Sequence, residues 1–254
     1  MWNAENILKS LALAGVEWEL REPGAIGAKS ESAGNAAAAP IANPARQTPH
    51  FSAPKAARPL PSADILETAR KLAASDDIIS AIKSFKEHPL FSGAKNTVVP
   101  HLPPPARPPL LVITDIPSLA DDASGNVLSG AEGELFDKML GAIGLSRERV
   151  AITPLVFWRP AGGRTPLADE ISFCKPFVDK IVARAQPEKI LTLGALAARE
   201  IAGASLPREH GKVFGNVIPI YKPDFILANP AVKKDVWEAL KQVTMEGIRV
   251  DSDK

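Results

Sequence analysis

Two ionisable side chains each stand one residue beyond an apolar run of the chain, where their charges could act on a ligand. Asp115 follows the run at 110–113, and Lys222 follows the run at 217–220. The ammonium group of Lys222 could stabilise a developing anion. If burial kept it unprotonated, its amine could instead attack a carbonyl carbon and form a Schiff base. The alternatives without chemistry are a turn or cap residue for Asp115, and a phosphate contact or an ion pair with Asp224 for Lys222.

The elements that position these residues are short strands that alternate with helices. Continuous apolar strands separated by helices indicate a parallel sheet that is covered on both faces. Ligands of such a sheet bind beyond the carboxyl ends of the strands, so the loops after the strands are where a site is expected. The sequence therefore predicts an α/β fold, a three-layer αβα domain with a short four-stranded parallel sheet. The predicted strands are 110–113, 150–152, 189–193 and 217–220, and the predicted helices are 62–73, a segment opened by Asp76 and Asp77, 131–143, 168–185, 195–202 and 230–243.

The composition indicates one sizeable packed domain and excludes several classes of protein. Of 254 residues, 45% are hydrophobic, and the formal net charge is +1, so a DNA-binding surface would have to come from local clustering of charge. The single cysteine, Cys174, excludes an intrachain disulfide and a metal site made of cysteines alone. No run reaches the ~18 apolar residues of a membrane span, and the N-terminus lacks the basic start of a signal peptide. The sequence therefore predicts a soluble protein of the cytoplasm.

The first sixty residues differ in composition from the rest. Ile7, Leu8 and Leu11 have helical spacing, which predicts an amphipathic helix that docks on the main domain or, less favoured, binds a partner. The stretch that follows is rich in Ala, Pro, Gly and Ser and cannot bury enough apolar surface to become ordered. The predicted organisation is an N-terminal helix at 1–20, a disordered linker at 21–61, the αβα domain at 62–246 and a tail at 247–254, with residues 1–60 as the candidate region for a protein partner.

Several short motifs follow one another in an order that is specific when they are taken together. They are Gly-Ala-Glu-Gly-Glu-Leu-Phe at 130–136, Ile-Thr at 152–153, Arg-Pro at 159–160, Cys-Lys-Pro-Phe at 174–177, Thr-Leu-Gly at 192–194, and the segment from Asn-Pro at 229–230 to Trp237. Between Ser84 and about Val243 the chain resembles the family 4 (iron–sulfur) uracil-DNA glycosylases. This resemblance implies a uracil-DNA glycosylase-like fold and a role in DNA repair, whereas the activity depends on the residues of the site.

The resemblance implies a site that holds an extruded base against an aromatic ring, reads its edge and stabilises the departing anion. Asp115 and Pro117 match the loop whose acid helps to place the water, although Thr and Ser replace the two glycines of that loop. Leu128 stands at the position of the stacking aromatic. Pro154 stands where the family has an asparagine that reads uracil, and it offers neither a polar side chain nor an N–H. With Pro117, Leu128 and Pro154 as the base-pocket positions, recognition of uracil in the family manner is predicted to be lost.

After the fourth strand, Lys222-Pro223-Asp224 replaces the family's His-Pro-Ser, in which the histidine stabilises the anion and the loop engages DNA. Asp115 and Lys222 are therefore the candidate catalytic residues. Lys222, Pro223, Asp224 and Arg159 are the candidate DNA contacts, although Asp224 would repel phosphate. Further phosphate contacts are expected from Lys175, Lys180, Arg184, Lys212, Lys233 and Lys234.

The resemblance also implies an iron–sulfur cluster with four cysteine ligands. The matching positions are Phe85, His88, Trp158 and Cys174, so only one thiolate is left. Because such a cluster needs a complete set of four ligands, we expect no cofactor, with apolar packing of Phe85 and Trp158 in its place. Two ligands, His88 and Cys174, also make a poor zinc site, so no metal is expected.

Three hypotheses about function remain open from the sequence. The first is a catalytically degenerate glycosylase-like protein that keeps a scaffold for DNA or a partner. The second is an active DNA glycosylase with altered base specificity, or a protein that captures abasic sites, using Asp115 for water and Lys222 for charge or covalent capture. The third is a protein–protein interaction module without a DNA role, which salt-dependent binding of DNA would distinguish from the first.

Overall fold

Four short, fully buried strands form one parallel sheet. The computed structural model describes residues 62–104 and 107–245, so the predicted N-terminal helix, linker and tail lie outside the described residues. The strands are β1 (Leu110–Thr114), β2 (Val150–Pro154), β3 (Lys189–Leu193) and β4 (Val217–Ile220), in the order β2–β1–β3–β4. All three pairings are parallel. The predicted αβα fold with a four-stranded parallel sheet is therefore confirmed.

Helices cover both faces of this sheet, because successive side chains of a strand point to opposite sides. Leu111 and Ile113 of β1 belong to one core, whereas Leu110 and Val112 belong to the other. The first core also contains residues of α1, α2 and α5, and the second contains residues of α4 and α8. The helices are α1 (Ser62–Ala73), α2 (Ile78–Ser84), α3 (Leu119–Ser124), α4 (Gly130–Ala142), α5 (Ala168–Ala185), α6 (Ala195–Ala202), α7 (Pro223–Ala228) and α8 (Lys233–Met245), with short 3₁₀ helices at Phe91–Gly93, Arg147–Arg149, Ala161–Gly163 and Pro230–Val232.

Two of these helices, α3 and α7, were not predicted, and both begin just after a strand. The final helix also begins later than predicted, because a 3₁₀ turn precedes α8. Across the described part of the chain, no helix is long and apolar enough to cross a membrane.

The order of the strands places a crevice between β1 and β3. From β1 the chain proceeds to β2 on one side and then to β3 on the other, so the loops after β1 and β3 diverge. Thr114, the last residue of β1, pairs with Pro154 of β2 and Leu193 of β3, so the three strands end at one level. A divergence of this kind is where open α/β sheets bind ligands. The next residue along the chain is Asp115.

Candidate active site at the carboxyl edge of the sheet

Asp115 crosses this crevice and caps a helix that follows another strand. Its Oδ1 accepts a hydrogen bond of 2.6 Å from the backbone N–H of Ala197, in the first turn of α6. The carboxylate thereby satisfies one of the N–H groups that a helix leaves free at its start. Burial raises the pKa of the Asp115 carboxyl, against the opposing effect of the N–H groups of Ala197 and Leu196 and of the charge of Lys222. Asp115 is thus a capping residue with a carboxyl that retains its proton more readily than usual.

Gly194 leaves the space that the Asp115 carboxylate occupies. It connects β3 to α6 with φ 107 and ψ 170, a conformation that is essentially restricted to glycine. A Cβ at this position would lie 2.5 Å from the Asp115 carboxylate carbon and closer still to Oδ2. The predicted Thr-Leu-Gly motif therefore ends in a glycine that the site requires for two separate reasons.

Hydrogen bonds at the start of α3 and from Arg159 fix the conformation of the loop after β1. Ser118 and Asp121 form a capping box at the start of α3, since each accepts a hydrogen bond from the backbone N–H of the other. The buried Asp121 also accepts a bond of 2.6 Å from the N–H of Ser129, which precedes α4. Arg159 donates a bond of 2.6 Å to the carbonyl of Pro117. Arg159, a predicted DNA contact, is thus half-buried against the site loop and acts in positioning it.

Lys222 lies at the centre of a group of carboxylates. Its Nζ is 3.4 Å from Oε2 of Glu132 and 3.4 Å from Oδ2 of Asp224, and its side chain is only 13% exposed. It also donates to the carbonyl of Ile116 at 3.5 Å. The ion pair with Asp224 is one of the alternatives that the sequence left open. Glu132 is a second partner that sequence reasoning missed.

Glu132 comes from the first turn of α4 and is the unexpected member of the site. Burial raises the pKa of its carboxyl, while Lys222 lowers it and the charges of Asp224 and Asp121 raise it further. Its buried Oε2 has no hydrogen bond among the described residues, so the contact with Lys222 is an ion pair without hydrogen-bond geometry. An acid in the first turn is common to helices in general, so the sequence carried no signal that singled out Glu132.

The two remaining base-pocket positions offer no groups that could hold or read a base. Leu128 is 2% exposed and packs in the second core. Its φ of 51 is unusual for a branched residue, and its carbonyl accepts a bond of 2.6 Å from Arg147. Pro154 is the buried last residue of β2. Neither supplies an aromatic face or an amide.

The four positions that match the iron–sulfur ligands meet in the first core as a packed aromatic group. The ring of His88 stacks on Trp158 with centroids 4.6 Å apart, and Phe85 meets Trp158 edge-on at 6.0 Å. Cys174 Sγ lies 3.4 Å from Nε2 of His88. All four side chains are at most 2% exposed. Two aromatic rings thus fill positions where a cluster would need thiolates, and these residues do not fit such a cluster.

The chemistry of the two polar members agrees with this packing. The N–H of Leu90 donates to Nδ1 of His88 at 3.1 Å, so Nε2 carries the proton and donates to the carbonyl of Glu170 at 2.9 Å. Burial lowers the pKa of His88 to about 4 and raises the pKa of Cys174 to about 12. The first is therefore neutral and the second a thiol near neutral pH. Within residues 62–104 and 107–245, no group of three or more His, Cys, Asp and Glu side chains could hold a metal ion.

Among the predicted phosphate contacts, two have protein partners on the α5 surface. Lys175 forms an ion pair of 3.0 Å with Asp179, and Arg184 donates to the carbonyl of Asp76. At these two positions the cations of α5 are engaged by protein groups, as is common on a solvated charged helix face.

Comparison of the sequence with known proteins identifies the family of the chain. The model of the uracil DNA glycosylase superfamily matches residues 100–241, which contain the sheet and the whole site. The chain belongs to this superfamily. It is 28% identical over 182 residues to a type-4 uracil-DNA glycosylase of Archaeoglobus fulgidus, covering 66% of this chain and 90% of that protein. It is 31% identical over 149 residues to a type-4 uracil-DNA glycosylase of Saccharolobus solfataricus, covering 53% of this chain and 69% of that protein. The predicted resemblance to family 4 of the uracil-DNA glycosylases is thus confirmed.

Proposed function

We propose that this member of the uracil-DNA glycosylase superfamily binds DNA through the family scaffold and does not excise uracil. The observation that carries the proposal is the group of carboxylates around Lys222. Uracil would have to leave as an anion, and a glycosylase lowers that barrier with groups that favour negative charge. Here Glu132 and Asp224 both lie 3.4 Å from Lys222 Nζ, so the positive charge of this lysine is already balanced. A departing anion would face acidic side chains instead of an unpaired positive group.

DNA binding is supported by exposed apolar side chains in the segments that follow the carboxyl ends of the strands. Leu119, Leu167, Phe225 and Leu227 are 44–73% exposed, and each lies in a segment that follows the carboxyl end of a strand. Exposed apolar groups gathered at one edge are typical of an interaction surface. In DNA-binding proteins such groups insert between base steps or stack on bases.

Binding to a fluorescent duplex, measured by anisotropy over a series of salt concentrations, tests this half directly. We expect affinity to fall with salt, because phosphate contacts release counterions. Phe225→Ala should weaken binding by about 5- to 150-fold, if stacking contributes ~1–3 kcal/mol. The matched control is Val213→Ala, since Val213 is also an exposed apolar residue but precedes β4. Equal affinity of the two variants would contradict the proposed surface.

We also propose that the protein carries no iron–sulfur cluster. The support is the packed group of Phe85, His88, Trp158 and Cys174, which supplies one thiol with a pKa raised to about 12. Protein produced with added iron and sulfide should contain no stoichiometric iron and no absorbance near 400 nm typical of such clusters. One cluster per chain would contradict the proposal.

A second candidate function is favoured by the acids themselves. Burial raises the pKa of both Asp115 and Glu132, so either could donate a proton to a departing purine. This hypothesis predicts release of hypoxanthine from DNA without release of uracil. Loss of that release in Glu132→Gln would assign the proton donor, and a protein that releases neither base would exclude this candidate.

A further inference from the structure

Lys222 and the carboxylates of Glu132 and Asp224 combine an amine with acids that could exchange protons with it, which DNA binding alone does not require. We propose that this site captures abasic DNA covalently, with Nζ of Lys222 forming a Schiff base with the C1′ aldehyde of the ring-opened sugar. The inference rests on the proposed function, because the DNA must first bind at the carboxyl edge of the sheet. It extends that function to one substrate class, a nucleotide that has already lost its base.

The residues that exclude uracil are compatible with such a substrate. A sugar without a base needs neither an aromatic face nor an amide that reads a base, so Leu128 and Pro154 should not weaken its binding. What it needs is a nucleophile at the crevice. Lys222 is the N-cap of α7, and its ammonium group is fixed by Glu132 and the carbonyl of Ile116 rather than extended into solvent.

Glu132 provides the proton acceptor that the first step requires. Once Nζ closes the 3.4 Å separation from Oε2 of Glu132 to a hydrogen bond, the ammonium of Lys222 transfers a proton to that carboxylate and becomes a neutral amine. Burial makes Glu132 a stronger base than an exposed glutamate, because it raises the pKa of the carboxyl. The amine nitrogen then adds to the aldehyde carbon, the C=O π bond breaks, and a proton moves from nitrogen to oxygen to give a carbinolamine.

The second step returns the proton and balances the reaction. Glu132 protonates the carbinolamine hydroxyl, which leaves as water while the C=N bond forms. The sum is an ammonium and an aldehyde going to a protonated imine and one water, with no oxidant or reductant. The product keeps one positive charge on nitrogen, so Glu132 and Asp224 stabilise it as they stabilise the ammonium. The same acids that oppose release of an anion thus favour this cation.

Borohydride trapping with the full chain tests the proposal. The probe is a labelled duplex with one abasic site, and borohydride reduces an imine to a stable amine that migrates as a protein–DNA adduct on a denaturing gel. We expect a one-to-one adduct, with the modified peptide containing Lys222. Glu132→Gln keeps the shape of the side chain but accepts no proton, so the adduct should form on the order of 100-fold more slowly.

The matched pair of variants is Lys222→Arg and Lys86→Arg. The first keeps a cation for Glu132 and Asp224 but has no amine, so it should fold and lose the adduct. Lys86 is an exposed lysine that follows α2, and its variant should trap like the wild type. An adduct that persists in Lys222→Arg, or one that maps to another lysine, overturns the assignment.

Binding of a tetrahydrofuran analogue, which has no aldehyde, separates this inference from the proposed function. If the analogue binds but the abasic duplex gives no adduct, covalent capture is wrong and DNA binding stands. If neither duplex binds, the proposed function itself is wrong.

Discussion

Replacing Gly194 with alanine should destabilise the protein strongly, because the new methyl group would compete with the Asp115 carboxylate for one space. The added Cβ would lie 2.5 Å from the carboxylate carbon, far inside van der Waals contact. The Asp115 side chain cannot move aside freely, since its Oδ1 accepts a hydrogen bond of 2.6 Å from the N–H of Ala197. The backbone at Gly194 is also in the region with φ 107 and ψ 170 that other residues avoid.

Two contributions set the size of the effect. Backbone strain of this kind costs ~1–3 kcal/mol. Displacing Asp115 from the start of α6 loses a charged hydrogen bond worth ~1.5–3 kcal/mol. The sum is about 2.5–6 kcal/mol, against a typical total stability of about 5–15 kcal/mol. Gly194→Ala should therefore be partly or wholly unfolded at 37 °C, and its free energy of unfolding is measured by urea denaturation followed by circular dichroism.

A control glycine and a second background distinguish the two contributions. Gly203 has φ 63 and open space around it, so Gly203→Ala should cost only ~1–2 kcal/mol. In an Asp115→Gly background, Gly194→Ala should cost less than in the wild type, because the carboxylate is gone. If Gly194→Ala costs no more than Gly203→Ala, the described contact between the two loops is wrong.

Four further predictions concern protonation and packing. Burial raises the pKa of Asp115 in the folded protein above its ordinary 3.8, so the contribution of this carboxyl to stability is full below pH 3.8 and is lost as the pH rises through the folded pKa. Asp115→Asn lacks this carboxyl, so its free energy of unfolding, measured by urea denaturation, should rise relative to that of the wild type as the pH increases. Asp77→Asn should show the opposite slope, since hydrogen bonds from Ser80 lower the pKa of Asp77, and equal slopes would refute both assignments. His88 should titrate near pH 4 by NMR, and a midpoint near 6.5 would mean that its ring is not buried. Trp158→Ala should lower the free energy of unfolding by ~3–5 kcal/mol, and a loss below about 1 kcal/mol would contradict its place in the core.

The strands and long helices could be predicted from the sequence because burial on both faces leaves a continuous apolar run. The predicted bounds of β3, β4 and α5 agree with the structure residue for residue, and the helix predicted around 195–202 is α6. The short helices α3 and α7 were missed, since six residues are too few to show a periodic pattern. The Ser-x-x-Asp signature at Ser118 was a usable signal for α3.

The site was predictable where it depends on strand ends and unpredictable where it depends on packing between helices. Asp115 and Lys222 follow strands that are predicted from their apolar runs. Because the strands are parallel, both residues are expected at the carboxyl edge of the sheet. Glu132 belongs to a separate helix, and its approach to Lys222 is set by how α4 packs on the sheet. The left-handed backbone at Leu128 likewise has no local signal, because leucine rarely adopts it.

A single-turnover measurement of uracil release from a duplex with one uracil, with protein in excess, tests whether this protein excises uracil. The type-4 glycosylase of Archaeoglobus fulgidus serves as the reference in the same assay, and anisotropy verifies that the duplex is bound. We expect bound DNA with no release above the rate without protein, because Glu132 and Asp224 already balance the charge of Lys222. Release of uracil by the wild type, lost in Lys222→Ala, would contradict it and make this protein an active glycosylase.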